Sequence, residues 1–263
     1  MKKIQIQQLI IRWICLFSSI ITLEALAHDT FLLPVQENYP IGSNAEIRIS
    51  SGLAFPEQTW GIDESRIEFT SLKLNEEIIN SPTFALSKEY LSIGFTAPKS
   101  GLVTVALSTK VRSGAIDNEN VDGYLEEIGA SARLREAFHA LPGKPALQRS
   151  YVKHTKTFLC VELCDARLKF MAKPVGQKLE FVGTRESESI FVLVYEGKPL
   201  SNHPVEVKNV AKETITLITD PNGKVNISGT FSGTLMLAAI ALSVTDEPEG
   251  PYHSDQATLV LLR

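Results

Sequence analysis

The sequence predicts a mainly β protein: two immunoglobulin-like or transthyretin-like β-sandwich modules with a short helical insert between them. Three observations carry this expectation. Short alternating or apolar runs recur along the chain, bounded by Gly, Pro, Asn and Asp. One internal stretch, 118–140, switches to helical spacing. On either side of it lie enough short runs for a sandwich, so 28–110 form the N-terminal module, 111–150 the helical insert or linker, and 151–263 the C-terminal module.

The first element is a leader, residues 1–27, read as a signal peptide. Lys2, Lys3 and Arg12 supply its positive front, and Trp13 to Leu23 form an apolar stretch interrupted by Ser18, Ser19 and Thr22. Ala25 and Ala27 then stand at the small-residue positions of a cleavage site. The stretch is short beside the roughly 20 apolar residues of a membrane span, and no later segment is longer. Cleavage after Ala27 therefore predicts a periplasmic protein with no membrane insertion, whose first residue is His28.

In the N-terminal module, Ala45, Ile47 and Ile49 alternate with Glu46 and Arg48. Ile67, Phe69, Leu72 and Leu74 repeat the habit with a slip near Ser71, which predicts a bulge there. Leu91 to Phe95 and Leu102 to Leu107 follow, joined by Ala97-Pro98-Lys99-Ser100-Gly101, a hairpin or an inter-sheet connection. In the insert, Val121, Leu125, Ile128 and Ala132 fall at helical spacing, and Asn120 or Asp122 can cap the start. Gly129 favours two short helices over one, and Leu141-Pro142-Gly143-Lys144-Pro145 is a stop. In the C-terminal module Ile190 to Tyr195 is a buried strand, Gly197-Lys198-Pro199 a turn, and Val205 to Val207 a strand. Thr214 to Thr219 runs into Asp220-Pro221-Asn222-Gly223, a turn in which Gly223 takes positive φ. Leu235 to Leu242 is a central strand and Ala257 to Leu262 the last one.

Charge and composition exclude several function classes. Removing the leader from totals of 26 basic and 30 acidic residues leaves 23 and 29, a net charge of −6. An acidic chain without basic tracts is a poor nucleic-acid binder, because phosphate neutralisation drives that affinity. There is no glycine-rich phosphate loop and no Gly-x-Ser-x-Gly elbow. The leader also takes Cys15 with it, leaving Cys160 and Cys164. An oxidising compartment makes this pair a disulfide candidate across a tight turn; two free thiols or a thiolate metal pair are the alternatives.

Several phrases together resemble a known family. They are Ala27-His28-Asp29-Thr30-Phe31-Leu32-Leu33-Pro34, Tyr124-Leu125-Glu126-Glu127-Ile128-Gly129, Tyr151-Val152-Lys153-His154-Thr155-Lys156, Tyr195-Glu196-Gly197-Lys198-Pro199-Leu200 and Thr219-Asp220-Pro221-Asn222-Gly223-Lys224-Val225. In this order, and over essentially the whole mature chain, they resemble the exported domain-of-unknown-function family 4198, which includes nickel- and cobalt-uptake proteins of the NikM/NikK type. The resemblance implies a periplasmic immunoglobulin-like protein that binds a transition-metal ion, nickel or cobalt before copper or zinc, beside an inner-membrane metal transporter. The chain departs from the family at Leu235 to Leu242, where an aromatic-rich, often histidine-containing strand is usual and no histidine stands.

The metal-ligand candidates are His28, Asp29, His154 and His253. A terminal His28 offers its α-amine and imidazole as a two-nitrogen chelate, and Asp29 adds an oxygen. His154 is the second ligand expected, in a strand whose alternation sends Lys153 and Thr155 to the opposite face and keeps Lys156 on its own. His253 is placed in a loop with Asp255 as its orienting carboxylate. His139 at a helix end and His203 in a turn read as structural, Glu126, Glu127, Glu186 and Glu188 as solvated carboxylates, and Trp60 beside Phe55-Pro56 as packing. The reading is thus a non-catalytic exported metal-binding protein of uptake or homeostasis. Two readings compete with it: a copper histidine-brace oxidative enzyme, and a metal-free adhesive or structural envelope module.

Overall fold

The computed structural model describes residues 28–245 and 247–262. The leader and its cleavage site lie outside the described residues. In the N-terminal half β1 (Asp29–Pro34), β2 (Asn38–Tyr39) and β3 (Asn44–Gly52) are followed by β4 (Trp60–Gly61) and β5 (Ile67–Leu74). Then come β6 (Glu77–Ile78), β7 (Thr83–Leu86), β8 (Leu91–Thr96) and β9 (Gly101–Thr109). The middle holds β10 (Arg112–Ile116), α1 (Val121–Glu127), α2 (Ala132–His139) and the 15-residue β11 (Leu147–Val161). After α3 (Arg167–Met171) the chain continues through β12 (Leu179–Gly183), β13 (Ile190–Tyr195), β14 (Lys198–Pro199) and β15 (Pro204–Asn209). It closes with β16 (Thr214–Ile218), β17 (Lys224–Asn226), β18 (Leu235–Ser243) and β19 (Tyr252–Leu261).

Local chemistry accounts for most boundaries. Gly129 takes φ +69°, open to glycine without a Cβ penalty, and ends α1. Ser131 caps α2, its hydroxyl accepting from the Leu134 amide at 3.3 Å. No side-chain cap forms on α1; a 3-10 turn over Asn118–Asn120 leads into it instead. Gly223 sits at φ +72° as its turn requires. The slip in β5 falls between Ile67 and Phe69, not near Ser71, which pairs regularly with Ala106.

Among the described residues three sheets result. β1, β3, β8 and β7 make the first, with β4 beside β3. The second runs β16-β15-β18-β19-β11-β9-β5-β6, with β10 and β2 also on β11, and the third is β12-β13-β14 with β17 beside β13. The turn after β8 is thus an inter-sheet connection. The first sheet covers one end of the large sheet over a core that includes Ile47, Ile49, Ile93, Val105 and Leu159. The third covers the other end, over Phe181, Phe191, Leu193, Val207, Leu237 and Leu259. Burial of each such side chain contributes about 1.5–3 kcal/mol. Val121, Tyr124, Leu125 and Phe138 of the helices pack on Leu147 and Tyr252.

The expected pair of sandwiches therefore shares a sheet, and β11 is the reason. Its residues 149–157 lie parallel to β19, and 158–161 antiparallel to β9. Phe158 points into the C-terminal core and Leu159 into the N-terminal one. The expected boundary at 150/151 falls inside this strand. The last strand also starts earlier than expected, at Tyr252, because that fully buried ring anchors in the helical cluster. Gly250 makes the entry possible: a Cβ there would meet the Gln148 carbonyl oxygen at 2.4 Å. Cys160 at the end of β11 and Cys164 are joined by a disulfide, their Cα atoms 5.9 Å apart. Among the described residues no helix is long and apolar enough to cross a membrane.

Candidate functional site

Alternation along β11 separates the candidate residues. Lys153 faces β1, and its ammonium donates to the backbone carbonyl oxygen of His28. His154 and Lys156 face the third sheet, where Lys156 Nζ donates to Glu180 Oε1 at 2.6 Å and to the Phe181 carbonyl at 3.0 Å. β19 follows the same rule. Thr258 donates to the Thr30 carbonyl of β1 at 2.6 Å, whereas Asp255 and Ala257 face the C-terminal core side. The large sheet therefore stands between His28 and His154, and the two are not brought together.

At the His28 end, the imidazole meets Trp60 edge to face, ring centroids 4.5 Å apart. Its ring nitrogens make no hydrogen bond among the described residues. Burial, and then the nearby Lys153 charge, lower its pKa below the usual histidine value, against the pull of Asp29. Asp29 itself is taken up: Lys208 Nζ reaches its Oδ2 at 2.7 Å and Glu206 Oε2 at 3.0 Å. Burial weakens the charge on Lys208, but Asp29 and then Glu206 outweigh it, so its pKa is raised.

On the other face Asp255 is a hub. His154 Nε2 donates to its Oδ1 at 3.2 Å, and Lys178 Nζ and the Tyr195 hydroxyl reach its Oδ2 at 2.9 and 3.2 Å. His253 Nε2 lies 3.5 Å from that same oxygen. Both imidazoles are occupied at Nδ1 as well, by Ser108 Oγ and Ser150 Oγ respectively, each at 2.8 Å. Burial alone would push the Asp255 carboxyl up, yet the His154 and Lys178 hydrogen bonds and the Lys178 charge together hold it down at about 2. The loop placement expected for His253 is corrected: it lies in β19, opposite Ser150.

The four candidate ligands therefore do not fit one metal centre. Among the described residues no group of three or more His, Cys, Asp and Glu is set to hold an ion. His154 and His253 have both nitrogens engaged and Asp29 is paired, while the disulfide engages both cysteine sulfurs. The His28 imidazole makes no hydrogen bond among the described residues and its lowered pKa favours the unprotonated ring, which leaves it available as a nitrogen donor. His139 pairs with Asp122 at 2.6 Å on the exposed insert, and His203 Nε2 donates to the Ile240 carbonyl at 3.0 Å.

Beside the His28 end lies a cleft of about 620 Å³. Its floor is the β1-facing side of β18 and β19, with Ala238, Ile240 and Thr258; α1 contributes Glu126, Glu127 and Ile128. Asp29, Lys153, Glu206 and Lys208 line its charged side. The sequence pattern places Lys153 on the face opposite His154 and marks none of Lys208, Lys178 and Tyr195 as site residues. The signal for Lys153 was the odd-even alternation of β11; Lys208, Lys178 and Tyr195 carry no local signal, since sheet order alone brings them to their carboxylates.

A profile for a domain of unknown function, DUF4198, matches residues 25–242. None of the curated proteins matches the chain. Among solved structures, the D0-D1 domain of Intimin is similar at 10% identity, covering 88% of this chain and 97% of that one, with a TM-score of 0.22. The collagen adhesin (CNA) from S. aureus is similar at 8% identity, over 90% of this chain and 94% of that one, with a TM-score of 0.14.

Proposed function

This chain belongs to the domain-of-unknown-function family DUF4198, and from that premise we propose a non-catalytic, exported periplasmic protein that holds a transition-metal ion in metal uptake or homeostasis. Nickel or cobalt is the favoured ion, before copper or zinc. Residues 1–27 are the cleaved signal peptide, and His28 is the mature N-terminus.

The observation that carries this reading is the state of His28. Of the four candidate ligands it alone has an imidazole with both nitrogens free of hydrogen bonds among the described residues, and burial, then Lys153, lower its pKa and so favour the unprotonated ring. Metal ligation requires unprotonated nitrogen. Two anchors fix the residue: Lys153 on its carbonyl and Trp60 against its ring. Cleavage after Ala27 adds an α-amine with a reference pKa of about 7.7–8.0, lowered by linkage when an ion binds. One residue then offers two donors and leaves the remaining positions open, which suits transfer to an inner-membrane transporter rather than permanent storage.

Intact mass of protein recovered from the periplasm should show loss of residues 1–27. Calorimetric titration with Ni, Co, Cu and Zn should then give binding for the mature chain. One residue added before His28, or His28→Ala, should weaken it about tenfold or more. Equal binding by the extended chain removes the terminal chelate. Absence of binding by all three favours the metal-free envelope module, and oxygen reduction above that of free copper favours the oxidative enzyme.

A further inference from the structure

We propose that the open seam between β5 and β7 receives an extended basic peptide of a partner protein, which adds antiparallel to the outer edge of β7. Main-chain hydrogen bonds join it to Phe84 and Leu86, and its basic side chains meet Glu64 and Glu68. The site needs no ion at His28.

β7 ends the first sheet: β8 lies on one side of it, and among the described residues no strand lies on the other. Register decides what that outer side offers. The Ser87 amide donates to the Tyr90 carbonyl at 2.8 Å, which makes these two a hydrogen-bonded pair. Bonded and non-bonded pairs alternate along an antiparallel ladder. Thr83 and Ala85 therefore bond to β8, while Phe84 and Leu86 turn their N–H and C=O groups outward. None of those groups has a partner among the described residues. Across the seam β5 is open in the same sense. Ile79 donates to the Leu72 carbonyl at 2.9 Å, and two residues earlier Thr70 faces that same side, beyond the reach of the short β6. Edge strands are commonly blunted by charge or proline, and Thr83-Phe84-Ala85-Leu86 has neither.

Two adjoining clefts of about 560 and 400 Å³ run along the seam and share Glu64 and Phe84. Their floor is apolar. Ile67, Ile79 and Phe84 pack from the side onto the N-terminal core, and Leu86, 54% exposed, extends the surface. A strand laid along β7 sets every second side chain on this floor. The charged residues lining the clefts are Asp63, Glu64 and Glu68, with no lysine or arginine. Asp63 is occupied as the cap of a 3-10 turn over Glu64–Arg66, accepting from the Ser65 amide at 2.9 Å. Glu64 and Glu68 are exposed and have no ion-pair partner among the described residues.

That charge selects the occupant. A second copy pairing β7 with β7 would bring Glu64 and Glu68 of both chains to one seam, on a chain whose formal net charge is already −4. Like charges so juxtaposed disfavour the pairing. A peptide with lysines between its apolar positions meets the free carboxylates instead, and main-chain bonds to a sheet edge are a general mode of peptide capture.

The test uses the purified protein and a fluorescein-labelled peptide of about seven residues, a common strand length, with lysine and valine alternating. Fluorescence anisotropy should show binding that weakens as salt rises. In an antiparallel addition the floor-facing valines bond to Phe84 and Leu86, so N-methylation of the valines should cost about tenfold or more in affinity. N-methylation of the lysines, whose amides face away from β7, should be tolerated. Amide exchange at Phe84 and Leu86 should slow when the parent peptide is bound. Leu86→Pro removes an outward N–H without touching the ladder to β8, and it should lose a similar factor, as should Glu64→Gln combined with Glu68→Gln. The peptide series needs no variant, so a misfolded substitution does not spoil the test. No binding, equal binding of the valine-methylated peptide, or preference for a glutamate–valine peptide overturns the proposal. So does a dimer of the protein alone that Leu86→Pro dissolves, which makes a second copy the occupant. Because the readout uses no metal, failure at His28 and failure here are separate results.

Discussion

His154 and Asp255 meet across two neighbouring parallel strands, the imidazole Nε2 donating to Asp255 Oδ1 at 3.2 Å with both side chains buried. The contact takes the histidine expected as a second metal ligand and uses it to stabilise a buried carboxylate. Tyr195 of the third sheet and Lys178, the residue before β12, converge on the same group, so Asp255 ties two sheets together.

Acid should weaken this tie. Asp255 has its folded pKa held at about 2, below the usual value of 3.8. A depressed carboxyl contributes stability above its unfolded pKa, and that contribution is lost as pH falls from about 4 through about 2. The amount is about 2 kcal/mol. Urea unfolding from pH 5 to pH 2 should show the gap between the wild type and Asp255→Asn narrowing over that window. A constant gap would mean that the carboxylate charge is not what holds the sheets.

Lys156 and Glu180 form an ion pair with both side chains 1% exposed. Glu180 also accepts from the Val175 and Gly176 amides at 2.8 and 3.0 Å, so it cannot relax into solvent. Lys156→Met should leave an uncompensated buried carboxylate and cost about 3–5 kcal/mol. Chemical denaturation measures this, and the double variant with Glu180→Gln should be less destabilised than the sum of the two singles.

The disulfide closes a short loop, from Cys160 to Cys164. In the chain-entropy account a loop of this length stabilises by about 2 kcal/mol, well below a long one. The variant with Cys160→Ser and Cys164→Ser should fold and lose no more than about that amount by thermal melting.

The shared strand predicts one unfolding unit. Phe158 and Leu159 are neighbours in β11 that enter different cores. Phe158→Ala should cost about 3–5 kcal/mol, and both halves should still unfold together. Trp60 of β4, which pairs with β3 and is the tryptophan among the described residues, reports on the N-terminal half. Its fluorescence and the far-ultraviolet circular dichroism should trace one transition; a C-terminal melt that leaves Trp60 unmoved would break the account.

Much of the fold was legible because its signals are local. Alternation at Ala45 to Ile49, the apolar run of β18 and the turn at Asp220 to Gly223 each depend on neighbours a few residues away. The helical insert declared itself by its spacing and divided at Gly129. Features that depend on distant strands were not legible, such as the bulge at Ile67 to Phe69 and the early start of β19 at Tyr252.

The same division governs the site. By itself the sequence determined the mainly β class, the helical break, which histidines exist and that Lys153 and His154 point to opposite faces, because strand period is a property of the local backbone. Only the tertiary structure decided what each face meets. Sheet order put β1 and the His28 end against one side of β11 and the third sheet against the other, so His28 stays open beside a cleft while His154 is spent on Asp255. Contacts between residues more than a hundred positions apart are fixed by packing, and no local pattern encodes them.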